Sequence, residues 1–394
     1  MNYVVTVFGS GTMGQGIAQV AAKHQCNVFL VDKNAEQIQK AKNYFETKKQ
    51  KLESEERKQW EELVNRINFI SGENSFVLLK EKIQQFSKTE GMIIEAIVEN
   101  LSAKQELFQK AEVIFPSNYI FATNTSSLSI ASIASTCKNP QRVIGIHFFN
   151  PAHIMPLVEI IPAITTSQET IQSAKTIIDS WNKTTVLAKD TPGFIVNRIA
   201  RPFYGEALRI LEEGIADVPT IDWAMKEIGK FKMGPFELMD LIGNDINFTV
   251  TKTVFESFFY DPRYKPSITQ QRLMEAKLLG KKTGRGFYDY SSEAKPEPTK
   301  NHQLGEEIFF RILVMLINEA VEAVYLNIAS IKDIDTAMTK GVNYPKGLLQ
   351  WADEIGVEKI LTKLTELQEL YNEERYRPSV LLKKMVKEKK KFYE

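Results

Sequence analysis

Residues 4–32, VVTVFGSGTMGQGIAQVAAKHQCNVFLVD, constrain the fold more than any other part of the chain. An apolar β-rich run precedes Gly9-x-Gly11-x-x-Gly14, a helical pattern follows it, and a second apolar run ends in Asp32, about 20 residues beyond the first glycine. A lone G-x-G-x-x-G carries little. Strand, glycine turn, helix, strand and acidic residue in that order supply the full context of a dinucleotide-binding βαβ unit. There Gly9 permits the tight turn, Gly11 lets a pyrophosphate approach the backbone, and Gly14 lets the helix pack closely on the strand. Ser10, Thr12 and Met13 complete the loop and the start of the helix, where unpaired N–H groups and the positive dipole end suit phosphate. Asp32 is placed to accept hydrogen bonds from ribose hydroxyls and to repel a 2′-phosphate, which favours NAD over NADP. The basic neighbour Lys33 pulls the other way.

From residue 3 to about 188, short β-rich runs alternate with helical stretches, the pattern of a parallel sheet with helices on its faces. Strands are expected at 3–8, 27–31, 92–98, 119–122, 143–147, 157–161 and 184–188. Between the second and third, a long charged segment without Pro or Gly reads as a helical hairpin over about 34–68, standing off the sheet. After KDTPGFIVNR (189–198) amphipathic helical patterns dominate, and SSEAKPEPTK (291–300) reads as an extended linker. The segments flanking that linker are related. Residues 206–243 align without a gap on 319–356 at a constant offset of 113, pairing Met225 with Met338, Gly234 with Gly347 and Asp240 with Asp353. PRYKPS (262–267) is echoed by ERYRPS (374–379). A run of this length indicates an internal duplication. The expected architecture is an α/β Rossmann-type nucleotide domain (1–188) followed by two all-α domains related by internal duplication (189–290 and 301–394).

The 394 residues are 43% hydrophobic, enough for a sizeable core, and Lys+Arg 50 against Asp+Glu 49 leaves a net charge of +1. No global basic field draws such a chain to nucleic acid or anionic lipid, so small-molecule or protein partners are expected. A strand beginning at residue 3 leaves no room for a leader, and no apolar run reaches the ~18 residues of a membrane span. A cytoplasmic location is expected. Cys26 and Cys137 show neither metal-site nor disulfide spacing.

GIHFFNPAHIMPLVEI (145–160) places two titratable groups, His147 and Glu159, in a run that otherwise reads as buried strand. A buried histidine is by default a satisfied core residue. Against that stand the Asn150-Pro151 turn and Pro156, which let two adjacent strands bring the side chains together, and the cost of a buried carboxylate without a partner. A carboxylate on one imidazole nitrogen fixes the tautomer and leaves the other to exchange a proton with substrate.

GSGTMGQGIA, VENLSAKQELF, TNTSSLSI, GIHFFNPAHIMPLVEI, DTPGFIVNR, MGPFELMDLIG and KKTGRGFYDY occur here in the order seen in the (S)-3-hydroxyacyl-CoA dehydrogenases, including the 3-hydroxybutyryl-CoA dehydrogenases. The resemblance spans residues 1–290. The duplicated tail resembles the dehydrogenase portion of multifunctional fatty-acid oxidation proteins. It implies NAD-dependent oxidation of a 3-hydroxyacyl-CoA, with His147 as general base and acid, Glu159 as its orienting partner, and Ser126 and Asn197 holding the substrate oxygen. Glu99, Lys104, Asn150 and Lys282 resemble the remaining cofactor contacts. For an acyl-CoA partner, Lys48 on the hairpin is a phosphate contact that aligns poorly with the family's serine. Each has a bland counterpart: Ser126 as cap of a helix starting near Ser129, Asn197 as a helix polar residue, Lys282 as a turn charge, and Lys48, Lys49 and Lys51 as a solvated face.

In the second helical copy the position of Asn197 falls on Phe310, and KEKKKFYE replaces KKTGRGFYDY without its glycines, so no second active site is expected. The duplicate instead covers the apolar face through which a single-copy relative pairs, giving a monomeric pseudo-dimer, with a homodimer as the alternative. Two other functions remain open: a 3-hydroxyacid dehydrogenase with a non-CoA substrate, which would use a lysine base, and an NAD-binding structural or sensor protein derived from the same family.

Overall fold

A computed structural model describes residues 3–86, 89–292 and 296–393. Met1-Asn2 ahead of the first strand, and residues 293–295 of the expected linker, lie outside the described residues. The chain forms two compact units, Met1–Thr191 and Pro192–Glu394.

The first unit is built on eight strands: β1 (Val4–Phe8), β2 (Asn27–Asp32), β3 (Ile67–Ser71), β4 (Gly91–Glu95), β5 (Tyr119–Thr123), β6 (Val143–Phe148), β7 (Leu157–Pro162) and β8 (Thr184–Leu187). Their order across the sheet is β3-β2-β1-β4-β5-β6-β7-β8. Strands β1, β4, β5 and β6 are buried along their whole length, which is why they read as continuous apolar runs without alternation. The order reverses between β1 and β4, and at such a switch point the carboxyl ends of the strands open a crevice for a ligand. One departure from the expected parallel sheet matters for the site: β7 runs antiparallel to β6, because only a short turn joins them and no crossover helix intervenes.

The stretch 67–71 is a strand, so the expected hairpin takes in its first two residues. INFIS lies at the sheet edge with Asn68, Phe69 and Ser71 only half-buried, and neither alternation nor an apolar run marks it. Nor does the hairpin stand off the sheet. After α1 (Thr12–Lys23), α2 (Ala35–Gln50) and α3 (Ser54–Val64) place Ile38, Ala41, Phe45, Trp60 and Leu63 in one core with Val28, Leu30 and Ile67. The Trp60 indole N–H donates to the Phe45 carbonyl at 2.9 Å, tying the two helices together. Their charged residues mark the outer face only.

In the second unit the duplication is visible element by element. Pro235–Ile242 corresponds to Leu348–Ile355, Asn244–Ser257 to Val357–Tyr371, Pro262–Tyr264 to Glu374–Tyr376, and Ile268–Glu275 to Val380–Glu388. Hydrogen bonds repeat with them. Asp222 accepts from the backbone of Phe236 and Glu237 and from the Tyr288 hydroxyl; Asp335 accepts from Leu349, Gln350 and the Tyr393 hydroxyl. Asp240 holds the backbone of Phe287 and Tyr288 as Asp353 holds that of Phe392 and Tyr393. The short KEKKKFYE therefore keeps the closing role of its longer counterpart, with Phe-Tyr as the retained part.

The copies also exchange partners. Arg198 Nε donates to Glu319 at 2.6 Å, and Arg311 Nε donates to Glu206 at 2.7 Å, each arginine and each glutamate being the other's counterpart. Phe231 and Tyr344, again counterparts, pack at 5.0 Å between ring centroids. Residue i meeting j while j's equivalent meets i's equivalent is the signature of an isologous two-fold interface, here within one chain.

Candidate active site

Beyond β1 the glycine turn meets the demands set by its sequence. Gly9 has φ +96°, and a Cβ there would stand 2.4 Å from the Ala96 carbonyl oxygen; a Cβ on Gly14 would stand 1.8 Å from the Gly9 oxygen. Gly11 differs, since a Cβ on it would meet nothing within 4 Å. No internal packing therefore requires glycine at 11, and the backbone there is open to the approach of an external group. The N-terminus of α1 has no side-chain cap, leaving its amides available to an anion. Asp32 holds the loop: Oδ2 accepts from the Ser10 amide at 2.9 Å and its hydroxyl at 3.1 Å, while Oδ1 accepts from the Asn34 amide. Open cradle, uncapped helix end and carboxylate fit the diphosphate and ribose of NAD.

Past β4 and β5 lies a second cluster. Lys104 is almost fully buried, its Nζ 2.6 Å from Glu95 and 3.2 Å from Glu99, so it stands as an internal prop between two carboxylates. Glu99 accepts from the Thr125 hydroxyl, the Ser126 amide and the Ser127 hydroxyl. Burial acts to raise the Glu99 pKa, but the Lys104 charge and these donors outweigh it and hold the carboxyl below its usual range. The Thr123 hydroxyl donates to Glu95 at 2.6 Å. Ser126 is not a helix cap; Ser129 caps the helix Ile130–Ala134. Sequence reasoning missed Glu95, Thr123, Thr125 and Ser127, whose only prior sign is polarity at strand ends.

His147 and Glu159 are direct cross-strand partners on the antiparallel β6/β7 pair, so their side chains share a face. Nδ1 of His147 lies 2.7 Å from Glu159 Oε2. Both groups are buried, Glu159 completely. A carboxylate can only accept, so the hydrogen sits on Nδ1. Phe149 packs on the imidazole at 4.6 Å. The Asn124 side chain accepts from the Phe148 amide at 2.8 Å, joining the loop that carries Ser126 to the strand end that carries His147. Asn150 is exposed on the turn that follows.

Lys48 does not lie on a solvated face. Its Nζ sits 4.7 Å from the Trp60 ring centroid and 3.5 Å from Gln19, and burial lowers its pKa. Lys49 pairs with Glu61, and Lys51 is exposed. Asn197 and Lys282 belong to the helical unit. Asn197 lies on the short helix Val196–Ile199, and Lys282 Nζ pairs with Asp245 at 2.6 Å.

A Rossmann-type sheet with an open glycine cradle and a buried imidazole–carboxylate pair on adjacent strands suits a nicotinamide-dependent dehydrogenase. Comparison with known proteins is specific. The 3-hydroxyacyl-CoA dehydrogenase NAD binding domain matches residues 4–191, and the C-terminal domain of the same family matches twice, at 193–290 and 308–392. The 3-hydroxyadipyl-CoA dehydrogenase of Escherichia coli is 35% identical, covering 96% of each chain. The human mitochondrial hydroxyacyl-coenzyme A dehydrogenase is 40% identical over 73% of this chain and 90% of its own. The crystal structure of 3-hydroxybutyryl-CoA dehydrogenase from Escherichia coli superimposes with a TM-score of 0.88 at 34% identity, covering 98% of each chain. The chain belongs to the 3-hydroxyacyl-CoA dehydrogenase family, and it is an NAD-dependent oxidoreductase of that kind.

Proposed function

We propose that this chain interconverts (S)-3-hydroxyacyl-CoA and 3-ketoacyl-CoA through the His147–Glu159 pair, the observation that carries the reading. In oxidation His147 Nε2 takes the proton of the 3-hydroxyl; in reduction it returns it. Glu159 fixes the tautomer and offsets the positive charge that forms on the imidazole. Ser126 and Asn197 hold the substrate oxygen, the former on a loop braced by Glu99, the latter by family resemblance alone. Bound NAD supplies the hydride acceptor. The loop Gly9–Gly14 and Asp32 hold it, with Glu99, Lys104, Asn150 and Lys282 as further family contacts; Lys104 acts through the two glutamates it joins.

The same reading divides the chain into a nucleotide domain (1–188) and two helical copies (189–290 and 301–394), the second occupying the place of a partner subunit, so that the protein is a monomer. A cytoplasmic site of action accords with two buried, free cysteines. No helix among the described residues is long and apolar enough to cross a membrane. The test is direct: purified protein with acetoacetyl-CoA should consume NADH, and a series of 3-ketoacyl-CoA lengths should give its chain preference. Tight NADH binding without turnover at any length would favour a binding or sensor role.

A further inference from the structure

The second helical copy lacks a counterpart of Asn197, yet it reaches the segment that carries it. Arg198, next in the chain, is fully buried, and its Nε donates to Glu319 of the second copy at 2.6 Å. Both terminal guanidinium nitrogens of Arg198 are buried without a hydrogen-bond partner, and the guanidinium lies 5.0 Å from the Phe258 ring centroid. Glu319 is thus the one hydrogen-bonding anchor of the Arg198 side chain among the described residues, while the Arg198 amide donates to the Gly193 carbonyl at 3.1 Å. The Tyr264 hydroxyl donates to the same Glu319 oxygen at 2.5 Å, and Arg263 lies 3.6 Å from the other oxygen. From the opposite flank, Arg201 Nε donates to the Asn197 carbonyl at 2.8 Å. The mirror arrangement is built differently. Arg311 is held by Glu206, by both oxygens of Glu213, and by the hydroxyls of Tyr371 and Tyr376, although the residue beside it is Phe310.

We propose that Glu319 is a positioning residue for the reaction: by holding Arg198 it sets the placement of Asn197, so the second copy completes the first copy's contribution to catalysis. This rests on the reading that Asn197 holds the substrate oxygen. A side chain anchored through one bond transmits displacement of that anchor directly, and a misplacement of about 1 Å can cost about 100-fold in rate.

The duplication provides its own control. In the full-length protein, Glu319→Gln is compared with its mirror Glu206→Gln, measuring kcat per NADH-binding site, KM for acetoacetyl-CoA, NADH affinity and Tm. The expected result is a kcat lower by roughly 10- to 100-fold for Glu319→Gln, with NADH affinity unchanged, and an unaltered kcat per site for Glu206→Gln. A structural role alone would lower Tm or the number of binding sites while leaving kcat per site intact. Tyr264→Phe and Tyr376→Phe repeat the comparison more gently should Glu319→Gln fail to fold: the first should lower kcat several-fold, the second should not. Equal kcat in both members of the folded mirror pair overturns the proposal. Asn197→Ala separates the two readings. If it abolishes turnover while Glu319→Gln does not affect it, the inference alone falls; if Asn197→Ala is fully active, the site reading falls and takes the inference with it.

Discussion

At the scale of single residues, the buried His147–Glu159 pair makes the sharpest demand. Replacing Glu159 with Gln keeps the shape but removes the charge that orients and balances the imidazole. We expect kcat to fall about 100-fold with NADH affinity unchanged, read by NADH absorbance and by fluorescence titration. Unchanged activity would end the assignment of the pair. Its members were legible in the sequence because one short turn separates them, so polarity in an apolar run and a plausible strand return could be read together. The braces around Ser126 were not. Glu95 and Thr123 come from two strands that meet only when the sheet is assembled, and Thr125 from the loop beyond the second of them. Likewise, the burial of Lys104 shows nothing of itself in a lysine within a charged helix.

Elements make a different kind of demand. The glycine turn separates folding from binding: Gly11→Ala places its Cβ in open space and should cost about 1 kcal/mol or less, yet weaken NADH binding by tenfold or more. Gly14→Ala drives a Cβ into the Gly9 carbonyl and should cost about 1–3 kcal/mol or more. Urea titration and NADH titration of both variants check this. A second case is Asp222, which burial pushes from 3.8 up to about 7, although the Phe236 amide and the Tyr288 hydroxyl favour its charged form. The folded state then binds the proton more tightly than the unfolded one. The stabilisation is fully present below pH 3.8 and is lost as the pH rises through about 7. Relative to the parent, Asp222→Asn should flatten the stability profile in that window, measured by denaturant unfolding at several pH values. At this scale the long central strands were legible from their apolar runs. Strand β3 was not, because an edge strand with half-buried polar residues lacks both signals, and a helix pair rich in Lys and Glu hid the apolar stripe of Ile38, Phe45 and Trp60.

The whole molecule is governed by the duplication, which the constant offset revealed because the two copies kept their length over residues 206–243 and 319–356. What the offset did not convey was how much survives in the divergent ends: Phe392 and Tyr393 still seat on Asp353 and Asp335. If the second copy takes a partner's place, sedimentation equilibrium should give the mass of one chain, 45.0 kDa, at micromolar concentration. A tight dimer through the first copy's inner face would contradict it, since that face already holds Phe231 against Tyr344 and Arg198 against Glu319. In a homodimer every substitution strikes both halves of the axis at once, and a change that helps one side must be tolerated on the other. Fusion releases that bond: Asn197 and Phe310, or the lightly held Arg198 and the heavily held Arg311, are free to follow separate histories while sharing one axis.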